Sequence, residues 1–382
     1  MLKNILFDLE ATQPNSSGKR HGGGKYGEIV LARIIKRGLP VSVFYDSRKW
    51  LNPDVDYLLN KHNIEKYDIA HQSIEEVITA SQSDLMYTPQ LSEANSKVKA
   101  CKIIATVHGL RGYELPIDLM MLKYKSNCNL RNIVKAYLFT LFPGLKDNRI
   151  NALKKSALFL KDNIDIVTVS EHSAYSIRAF FPDLRFDTSK VFYSPSTVAK
   201  IPEERKFNSK YFLLVSGNRW EKNNLRAIMA LDRLFSVGEL SDYEVMITGS
   251  SSADEYKYAI QNPNKFYFKG YVDDEELAQL YHDAYCLIYP SLNEGFGYPP
   301  LEAMANAVPV IASPFTSIQE VCQSAAIYTN PFSIEEIMSR ILMITVASLW
   351  QEYSNRGQQR HEEVKARQDN DLDKLIDYIY KI

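Results

Sequence analysis

Short apolar runs alternate with amphipathic helical patterns along this 382-residue chain. This alternation is typical of a parallel β-sheet covered by helices, because a helix usually connects each strand to the next parallel one. In the first half, strands are predicted at residues 4–9, 41–45, 102–107 and 164–170, and a helix at residues 25–37. The pattern therefore predicts an α/β fold.

The alternation breaks near residues 194–196 and in the charged run 202–206, which reads as a linker, and then it restarts. The strands predicted after this break lie at residues 211–216, 243–249, 265–270, 286–289 and 308–312. The helices predicted there lie at residues 223–234, 274–284 and 299–306, followed by a charged helix at about 349–382. The restart predicts two similar α/β halves, and the length suits two domains of roughly 150–200 residues.

Composition excludes several classes of protein. Apolar residues make up 45% of the chain, charged residues 24%, and the net charge of −1 gives no nucleic-acid signature. No two cysteines form a Cys-x-x-Cys pair, and the apolar surroundings of Cys101 and Cys286 predict buried thiols in a reducing compartment. The first residues lack a secretory signal, and no apolar run approaches the roughly 20 residues that span a bilayer. We therefore expect a cytoplasmic protein, attached at most to a membrane surface.

The most informative run is residues 290–305, which follow a predicted buried strand and lead into a helix. Gly295 and Gly297 let the backbone approach a ligand closely, and the N–H groups at a helix start attract phosphate. Glu294 precedes the glycines and Glu302 is expected in the first helical turn, so the pair could grip hydroxyl groups beside a diphosphate. The alternative is a Gly-Pro turn with a glutamate that favours the helix dipole. Spacing alone leaves both interpretations open.

This run resembles the Glu-x7-Glu signature of the family-4 retaining glycosyltransferases, also called glycosyl transferases group 1. It matches the pattern E-G-F-G-x-P-x-L-E-A-M at nearly every fixed position, and residues 268–277 and 309–321 are similar to flanking family segments. The resemblance is specific over residues 211–331 and weaker in the N-terminal half. It implies the GT-B fold, in which two doubly wound Rossmann-like domains face a central cleft. It also implies a nucleoside-diphosphate sugar bound by the C-terminal domain, and transfer with retention of configuration.

The resemblance implies roles for individual residues. The counterpart of Glu294 contacts the donor sugar near the reaction centre, and the counterpart of Glu302 binds the ribose hydroxyls. The backbone amides that would contact the sugar or phosphate are those of Gly295, Phe296 and Gly297. The segment that ends at Val272 is expected, with Phe296 and Tyr298, to shape the choice of donor.

A second cluster lies in residues 216–224, after the first strand of the second half. It resembles the family loop that ends in Lys-Asn, whose lysine and nearby arginine hold the diphosphate, and this implies such roles for Lys222 and Arg219. Two cations facing the leaving group would stabilise its developing negative charge. The family commonly places arginine directly after glycine, whereas Asn218 intervenes here, so Lys222 fits the pattern better than Arg219. A solvated turn is the alternative, although the position at the carboxyl end of a strand argues against it.

In the N-terminal half, His108 ends a predicted strand, where ligands of open α/β sheets bind. The family often carries a histidine here that touches the donor sugar, and a satisfied structural histidine is the alternative. Gly23 and Gly24 lie in a run that resembles the family's N-terminal Gly-rich loop, with His21 where the first glycine usually stands. This loop could meet a phosphate or the acceptor. The alternative is a flexible polar loop.

Asp54 and Asp56 have the Asp-x-Asp form that another glycosyltransferase fold uses for divalent metals. Their place before a helical pattern instead predicts a helix start, and no His/Cys cluster has zinc-ligand spacing. We expect no metal and no cofactor, with the nucleoside-diphosphate sugar acting as co-substrate.

Residues 119–161 carry nine Lys and Arg side chains and a single acidic residue, Asp147, with apolar and aromatic residues interleaved. This segment could lie on an anionic membrane surface, where lipid-linked acceptors reside. The alternative is a set of amphipathic helices packed on the N-terminal domain with a solvated basic face.

Together these features predict a retaining, metal-independent hexosyltransferase that acts on a glycan or lipid-linked acceptor in cell-surface polysaccharide or lipopolysaccharide synthesis. Residues 1–198 would bind the acceptor and residues 199–365 the donor, with a helix at about 366–382 packing back on the first domain. The departing phosphate would accept the acceptor's proton, and a covalent intermediate on Glu294 is the alternative. A nucleotide-sugar epimerase of the same fold and a non-catalytic nucleotide-sugar-binding module remain open. A Rossmann dehydrogenase is disfavoured, since no G-x-G-x-x-G follows the first strand.

Overall fold

The computed structural model describes residues 4–14, 22–198 and 210–381. The chain forms two compact units: the first comprises residues 1–110, 153–197 and 365–382, and the second residues 111–152 and 198–364. Each unit contains one six-stranded sheet in which every strand pair is parallel. The predicted linker at 202–206 and His21 lie outside the described residues.

The sheet of the first unit has its first strand in the middle. Its strands are β1 (Ile5–Asp8), β2 (Val41–Tyr45), β3 (Glu65–Asp68), β4 (Leu85–Thr88), β5 (Lys102–Val107) and β6 (Ile164–Thr168). They are arranged in the order β3-β2-β1-β4-β5-β6. Every residue of β1 and β4 is buried, as expected for central parallel strands with helices on both faces. The strand order reverses between β1 and β4.

The sheet of the second unit repeats this arrangement. Its strands are β7 (Lys210–Leu214), β8 (Tyr243–Thr248), β9 (Phe266–Gly270), β10 (Cys286–Tyr289), β11 (Val310–Ala312) and β12 (Ile327–Tyr328). They are arranged in the order β12-β11-β10-β7-β8-β9, so the unit's first strand again lies between its second and its fourth. The strand order here reverses between β7 and β10. The predicted two similar α/β halves are confirmed.

Helices connect most of the successive strands on each sheet. In chain order they are α1 (Gly22–Lys36), α2 (Pro53–Lys61), α3 (Ile74–Ser81), α4 (Arg111–Glu114), α5 (Leu130–Leu141), α6 (Pro143–Lys155), α7 (Glu171–Phe180), α8 (Asn224–Ser236), α9 (Asp274–Asp283), α10 (Tyr298–Ala305), α11 (Ser317–Cys322), α12 (Ile334–Ile344) and α13 (Ala347–Lys381). α1 shows why they form, because its buried residues recur every four positions at Tyr26, Val30 and Ile34. Asp54 and Asp56 lie in the first turn of α2, whose N-cap is Asn52, which confirms the predicted helix start.

The structure differs from the sequence-based domain boundary at residues 111–152, which were predicted in the N-terminal domain and belong to the second unit. Tyr124 is buried in the core of that unit, where its hydroxyl accepts a hydrogen bond from the Leu225 amide at 3.1 Å. Its ring also packs edge-on against Tyr256 at 5.3 Å between centroids. Asp118 pairs with Arg226 at 2.6 Å, and both side chains are buried. These contacts place residues 111–152 in the second unit, although the residues on either side of them along the chain belong to the first unit.

The C-terminal helix α13 contributes to both units, because its residues from Lys365 onward belong to the first. In that unit Asp371 accepts a hydrogen bond from the Tyr193 amide, and Asp373 pairs with Arg33 at 2.8 Å. Cys101, Cys286 and Cys322 are buried free thiols, which confirms the prediction for the first two. Within the described ranges, every helix is too short or too polar to cross a membrane.

Candidate active site

The loops that follow β7 and β10 meet where the strand order of the second sheet reverses. β7 and β10 are hydrogen-bonded neighbours, with Phe212 opposite Cys286 and Leu213 opposite Leu287. In doubly wound sheets, ligands bind outside the carboxyl ends of the strands at such a reversal. The loop after β7 carries Arg219 and Lys222, and the loop after β10 carries Glu294. The topology thus brings the two predicted clusters together.

Glu294 lies at the centre of a buried hydrogen-bond network. Its Oε1 atom accepts hydrogen bonds from Lys222 Nζ at 2.5 Å, from the Tyr289 hydroxyl at 2.6 Å and from the Ser291 hydroxyl at 2.5 Å. Lys222 Nζ also donates to the Tyr289 hydroxyl at 2.8 Å. The side chains of Lys222 and Glu294 are only 6% and 9% exposed, so they form a buried ion pair.

Opposing effects set the pKa values of this pair. Burial alone would raise the pKa of Glu294, but Lys222 and the two hydroxyls lower it below its usual range. Burial also lowers the pKa of Lys222; the Glu294 charge opposes this, and the nearby Arg219 adds to it. Glu294 is therefore held as a buried carboxylate.

Tyr289 and Ser291 were not predicted as site residues. Tyr289 ends the buried strand β10, and Ser291 follows it after one proline. Their signal in the sequence was a hydroxyl on each side of Pro290 at the carboxyl end of an apolar strand. That signal is weak, because a buried tyrosine in a strand is ordinarily a core residue.

Arg219 does not contact Lys222 or Glu294 through a hydrogen bond in the described structure. Its guanidinium instead donates two hydrogen bonds to Glu221 Oε1, at 3.0 Å from Nε and 2.7 Å from Nη2. The Arg219 side chain is 39% exposed, so it can still reach a ligand. Burial would raise the pKa of Glu221, but Arg219 and Arg111 lower it, and Glu221 stays ionised between them.

The loop after β10 is fixed by its backbone. The Glu294 amide donates to the Thr316 hydroxyl at 2.9 Å, and the Glu294 carbonyl accepts from the Ser317 hydroxyl at 3.0 Å. Gly297 has a φ angle of 124°, a conformation that favours glycine, and it is the N-cap of α10. Gly295 lies between these two anchors, and Phe296 is buried. A Cβ atom at Gly297 would also lie 3.1 Å from Ile318.

Glu302 lies in the second turn of α10, because the helix begins at Tyr298. The expectation of a first-turn position was wrong, since the helix starts one residue before the first proline. The half-buried Glu302 accepts a hydrogen bond from the buried Tyr281 hydroxyl; burial, together with this carboxylate, raises the pKa of Tyr281 well above its usual range. The alternative interpretation, in which Glu302 only interacts with the helix dipole, is less well supported, because that interaction falls off within the first turn. Its predicted ribose contact remains a prediction.

The other predicted residues lie on separate elements. Val272 is half-buried in the turn between β9 and α9. His108 belongs to the first unit, where its Nε2 lies 2.8 Å from the Pro89 carbonyl and its ring packs edge-on against Tyr26. Nε2 must therefore carry a proton and donate it to that carbonyl. Gly23 and Gly24 lie in the first turn of α1, also in the first unit. Their roles, and that of His108, remain predictions.

The match to a known protein family lies within the second unit. Residues 198–346 match the sequence model of the family described as Glycosyl transferases group 1. The O-antigen chain mannosyltransferase B of Escherichia coli is 28% identical over 223 residues, which cover 54% of this chain and 58% of that protein. The O-antigen chain mannosyltransferase RfbU of Salmonella typhimurium is 34% identical over 135 residues, which cover 34% of this chain and 36% of that one. The chain thus aligns with about half or less of these relatives' length.

Solved structures extend the likeness to the whole fold. A glycosyltransferase from Rickettsia africae superimposes with a TM-score of 0.66 at 16% identity, covering 100% of this chain and 98% of that one. HepE of Anabaena in complex with UDP-glucose gives a TM-score of 0.60 at 16% identity, covering 98% and 99%. At these identities the likeness shows the fold alone. The predicted GT-B fold and the resemblance to glycosyl transferases group 1 are confirmed, while the assignment to family 4 remains a prediction.

Proposed function

We propose that this chain, a relative of glycosyl transferases group 1, is a retaining hexosyltransferase that uses a nucleoside-diphosphate sugar in polysaccharide or lipopolysaccharide synthesis. The observation that carries this proposal is the buried Lys222–Glu294 pair at the strand-order reversal of the second sheet. It lies within the region that matches the family. Relatives named as O-antigen mannosyltransferases favour mannose as the hexose and a glycan or lipid-linked acceptor.

Charge and positioning would carry the chemistry. The bond between the sugar's anomeric carbon and the diphosphate oxygen breaks, and the acceptor oxygen bonds to the same face of that carbon. The departing phosphate accepts the acceptor's proton, so no protein base is needed. Arg219 would stabilise the charge that develops on the diphosphate. The ammonium of Lys222 has three protons, of which Glu294 and Tyr289 receive two, and the third would be directed at the ligand.

Glu294 would act beside the transferred sugar and Glu302 at the ribose. Glu294 is ionised and water-poor, so it can stabilise positive charge that develops on the sugar as the bond breaks. A covalent intermediate on Glu294 is less favoured, because three hydrogen bonds to a single oxygen reduce its nucleophilicity. The first unit would bind the acceptor, with His108, Gly23 and Gly24 as its candidate substrate-contacting residues.

A thermal-shift screen with UDP-, GDP- and other nucleotide sugars tests the binding part of this proposal. A ligand that binds the native state raises the melting temperature by mass action, by an amount that grows with its concentration. We expect a shift with one nucleotide class and its free diphosphate. A protein that shifts with none of them would contradict the proposal.

Product analysis separates the alternative functions. A transferase releases nucleoside diphosphate only when acceptor is present and gives a product of retained configuration. An epimerase would isomerise the nucleotide sugar without acceptor, and a binding module would shift in melting temperature but turn nothing over. Polysaccharide or lipid-linked glycan fractions serve as acceptors, with the sugar nucleotide from the thermal screen as donor.

We propose that transfer needs no divalent metal, because the guanidinium of Arg219 and the remaining ammonium proton of Lys222 can bind the leaving diphosphate. Activity should persist after exhaustive chelation. Loss of activity that only Mg²⁺ or Mn²⁺ restores would contradict this part of the proposal.

We also propose that the protein is cytoplasmic and binds the inner face of the cell membrane through α5 and the residues after it. One face of α5 presents large exposed apolar side chains at helical spacing, and two more follow the end of the helix: Leu130, Val134, Tyr137, Leu138 and Leu141 on α5, and Phe142 and Leu145 after it. Cations accompany this apolar face: Arg131, Lys135, Lys146 and Arg149. An exposed apolar stripe flanked by cations is the pattern of a helix that lies in an anionic lipid interface.

Co-sedimentation with phosphatidylcholine vesicles, with and without phosphatidylglycerol, tests this surface. The protein should bind the anionic vesicles and be released by salt, which screens exposed charges. A Leu141→Ser, Phe142→Ser variant should bind less, whereas a control with Val237→Ser and Val346→Ser, two exposed valines elsewhere, should bind like the parent. Replacing Arg131 by Glu should weaken binding at least about fivefold. Equal binding by all variants would contradict the proposal, and so would a dimer that the serine variant dissociates.

A further inference from the structure

The short helix α4, residues 111–114, contacts both loops of the candidate active site. Arg111 Nη1 donates to Glu221 Oε1 at 3.2 Å, and Glu221 lies in the loop after β7. Glu114 Oε2 accepts from Asn293 Nδ2 at 2.8 Å, and Asn293 directly precedes Glu294. All four residues belong to the second unit. α4 is far from both loops along the chain, and neither sequence motif includes it.

Two guanidinium groups donate hydrogen bonds to the same carboxylate oxygen of Glu221. Arg219 donates two hydrogen bonds to Oε1 and Arg111 donates one. The Glu221 side chain is 12% exposed, whereas Arg111 is 45% and Arg219 is 39% exposed. The carboxylate is therefore covered, while both guanidinium groups still face solvent.

The same residue ties the two loops to each other through its backbone. The Glu221 carbonyl accepts a hydrogen bond from the Leu292 amide at 2.8 Å and one from the Ser291 hydroxyl at 3.3 Å. Glu221 thus holds Arg111 and Arg219 at a fixed place beside the loop that carries Glu294. Burial lowers the pKa of Lys222, and the positive charges of Arg219 and Arg111 lower it further.

The two exposed arginines share a single carboxylate. Lys222 is paired with Glu294, and Glu114 of α4 binds Asn293, whereas Arg111 and Arg219 both pair with Glu221. Guanidinium groups prefer oxyanions that accept two parallel hydrogen bonds, and phosphate is such a group. Two partly exposed guanidinium groups beside the loop that carries Glu294 therefore suit a phosphate-containing ligand.

We propose that Arg111 is a further substrate-binding residue, which contacts the diphosphate of the donor together with Arg219. This inference rests on the proposed function of the same site and adds a residue that the sequence motifs do not contain. Glu221 holds both guanidinium groups in place, so ligand binding needs little side-chain ordering. The segment 111–152 then has a role in the donor site as well as in the packing of the second unit.

Calorimetric titration of the full chain with UDP and GDP, and with the phosphate-free nucleosides uridine and guanosine, tests this role. Arg111→Ala should weaken binding of the nucleoside diphosphate that the parent binds by about 5- to 30-fold. This is the expected effect of losing a charged hydrogen bond that is partly exposed. It should leave the affinity for the nucleoside unchanged. Arg111→Lys should recover part of the loss, because it keeps the charge but not the bidentate geometry.

Lys125→Ala is the matched control, since Lys125 is an exposed cation of the same segment. It removes the same charge and should leave both affinities as in the parent. If Arg111 only anchors the segment 111–152, Arg111→Ala will instead weaken the binding of nucleoside and of nucleoside diphosphate equally, and it will lower the melting temperature. That result, or an unchanged affinity for the diphosphate, would overturn the inference while the proposed function stands. If the parent binds no nucleoside diphosphate at all, neither UDP, GDP nor another from the thermal-shift screen, both proposals fail.

Discussion

The two units reverse their strand order at equivalent places, and each places a buried carboxyl group there. In the first unit Asp8 ends β1 and accepts hydrogen bonds from the Thr88 hydroxyl, the Asn95 amide and the Ala11 backbone. In the second unit Glu294 accepts from Lys222 and from two hydroxyls. Burial, with Glu10 adding to it, raises the pKa of Asp8 to about 7, whereas the pKa of Glu294 is lowered.

The pKa values of the two carboxyl groups shift in opposite directions because Glu294 is paired with the cation of Lys222. The donors that the structure gives to Asp8 are all neutral, so they only partly offset its burial. Glu294 is buried as deeply, but Lys222 reverses the direction of the pKa shift. The same topology therefore yields a carboxyl that favours its neutral form in one unit and a fixed charge in the other. A fixed charge paired with a cation is suited to a charged substrate, and a neutral hydrogen-bonded carboxyl is suited to holding a loop.

The largest expected effect follows from breaking the charged pair. Glu294→Ala leaves Lys222 buried without its partner, and the free energy of unfolding should fall by about 3–5 kcal/mol. The double variant Lys222→Met, Glu294→Leu should recover much of that loss, because neither charge is then buried alone. Urea denaturation at neutral pH measures both. A single variant as stable as the parent would mean that the pair is not formed.

The second prediction concerns Asp8, whose pKa is about 7 in the folded state against 3.8 for an unperturbed side chain. Between these values the unfolded chain has lost the proton that the folded chain keeps, so this group's contribution to stability falls as pH rises from about 4 to 7. Over that interval the loss is up to about 4 kcal/mol.

Asp8→Asn should remove this pH dependence. The stability difference between variant and parent should therefore shift in favour of the variant as pH rises, whatever its value at pH 4. Asp54→Asn, at an exposed position in α2, is the matched control. A difference between Asp8→Asn and the parent that stays constant from pH 4 to 7 would refute the account of Asp8.

The third prediction separates the two glutamates of the second unit. Glu302→Ala should weaken binding of the free nucleoside diphosphate by about 1–3 kcal/mol, because the contacts to the ribose would be lost. Glu294→Gln, which keeps the shape of the side chain, should leave that affinity nearly unchanged and lower kcat, because its charge would matter as the sugar becomes positive. Calorimetry and steady-state kinetics on both variants provide the test. The reverse pattern would show that the roles are exchanged.

The smallest effects should come from the two tyrosines that support these glutamates. Tyr289→Phe removes one hydrogen bond to Glu294, and Tyr281→Phe removes one to Glu302. Each should lower the unfolding free energy by about 1.5 kcal/mol, the lower end of the range for a hydrogen bond to a charged group. They should differ in function, because Tyr289→Phe should lower kcat and Tyr281→Phe should raise the Kd for nucleoside diphosphate. Identical functional effects would argue that both tyrosines are only structural.

Much of the fold could be predicted from the sequence, because long buried strands read as apolar runs. The strands at 41–45, 102–107 and 286–289 have the predicted bounds, and the other predicted strands differ by one or two residues at an end. Three strands were missed. β3 has the polar sequence Glu-Lys-Tyr-Asp at a sheet edge, and β12 has only two residues, so neither gives a periodic signal. The four-residue β4 is fully buried and too short to stand out from its surroundings.

The site could be predicted only in part, for a related reason. Lys222 and Glu294 belong to sequence motifs, whereas Tyr289, Arg111 and Asp8 gain their positions from contacts between distant segments. The placement of residues 111–152 is the clearest case. Asp118 and Tyr124 bind Arg226 and Leu225, about a hundred residues later, and no local pattern reveals such a pairing.

A crystal structure of the protein with the nucleoside diphosphate that gives the largest thermal shift tests the central claim most directly. The account predicts the ligand at the carboxyl ends of β7 and β10, with its diphosphate at Arg219 and its ribose at Glu302. The neutral carboxyl Asp8 and the loop after β1 should stay without nucleotide. A nucleotide bound at the strand-order reversal of the first unit, with residues 219–222 and 294–302 not contacting it, would contradict the account.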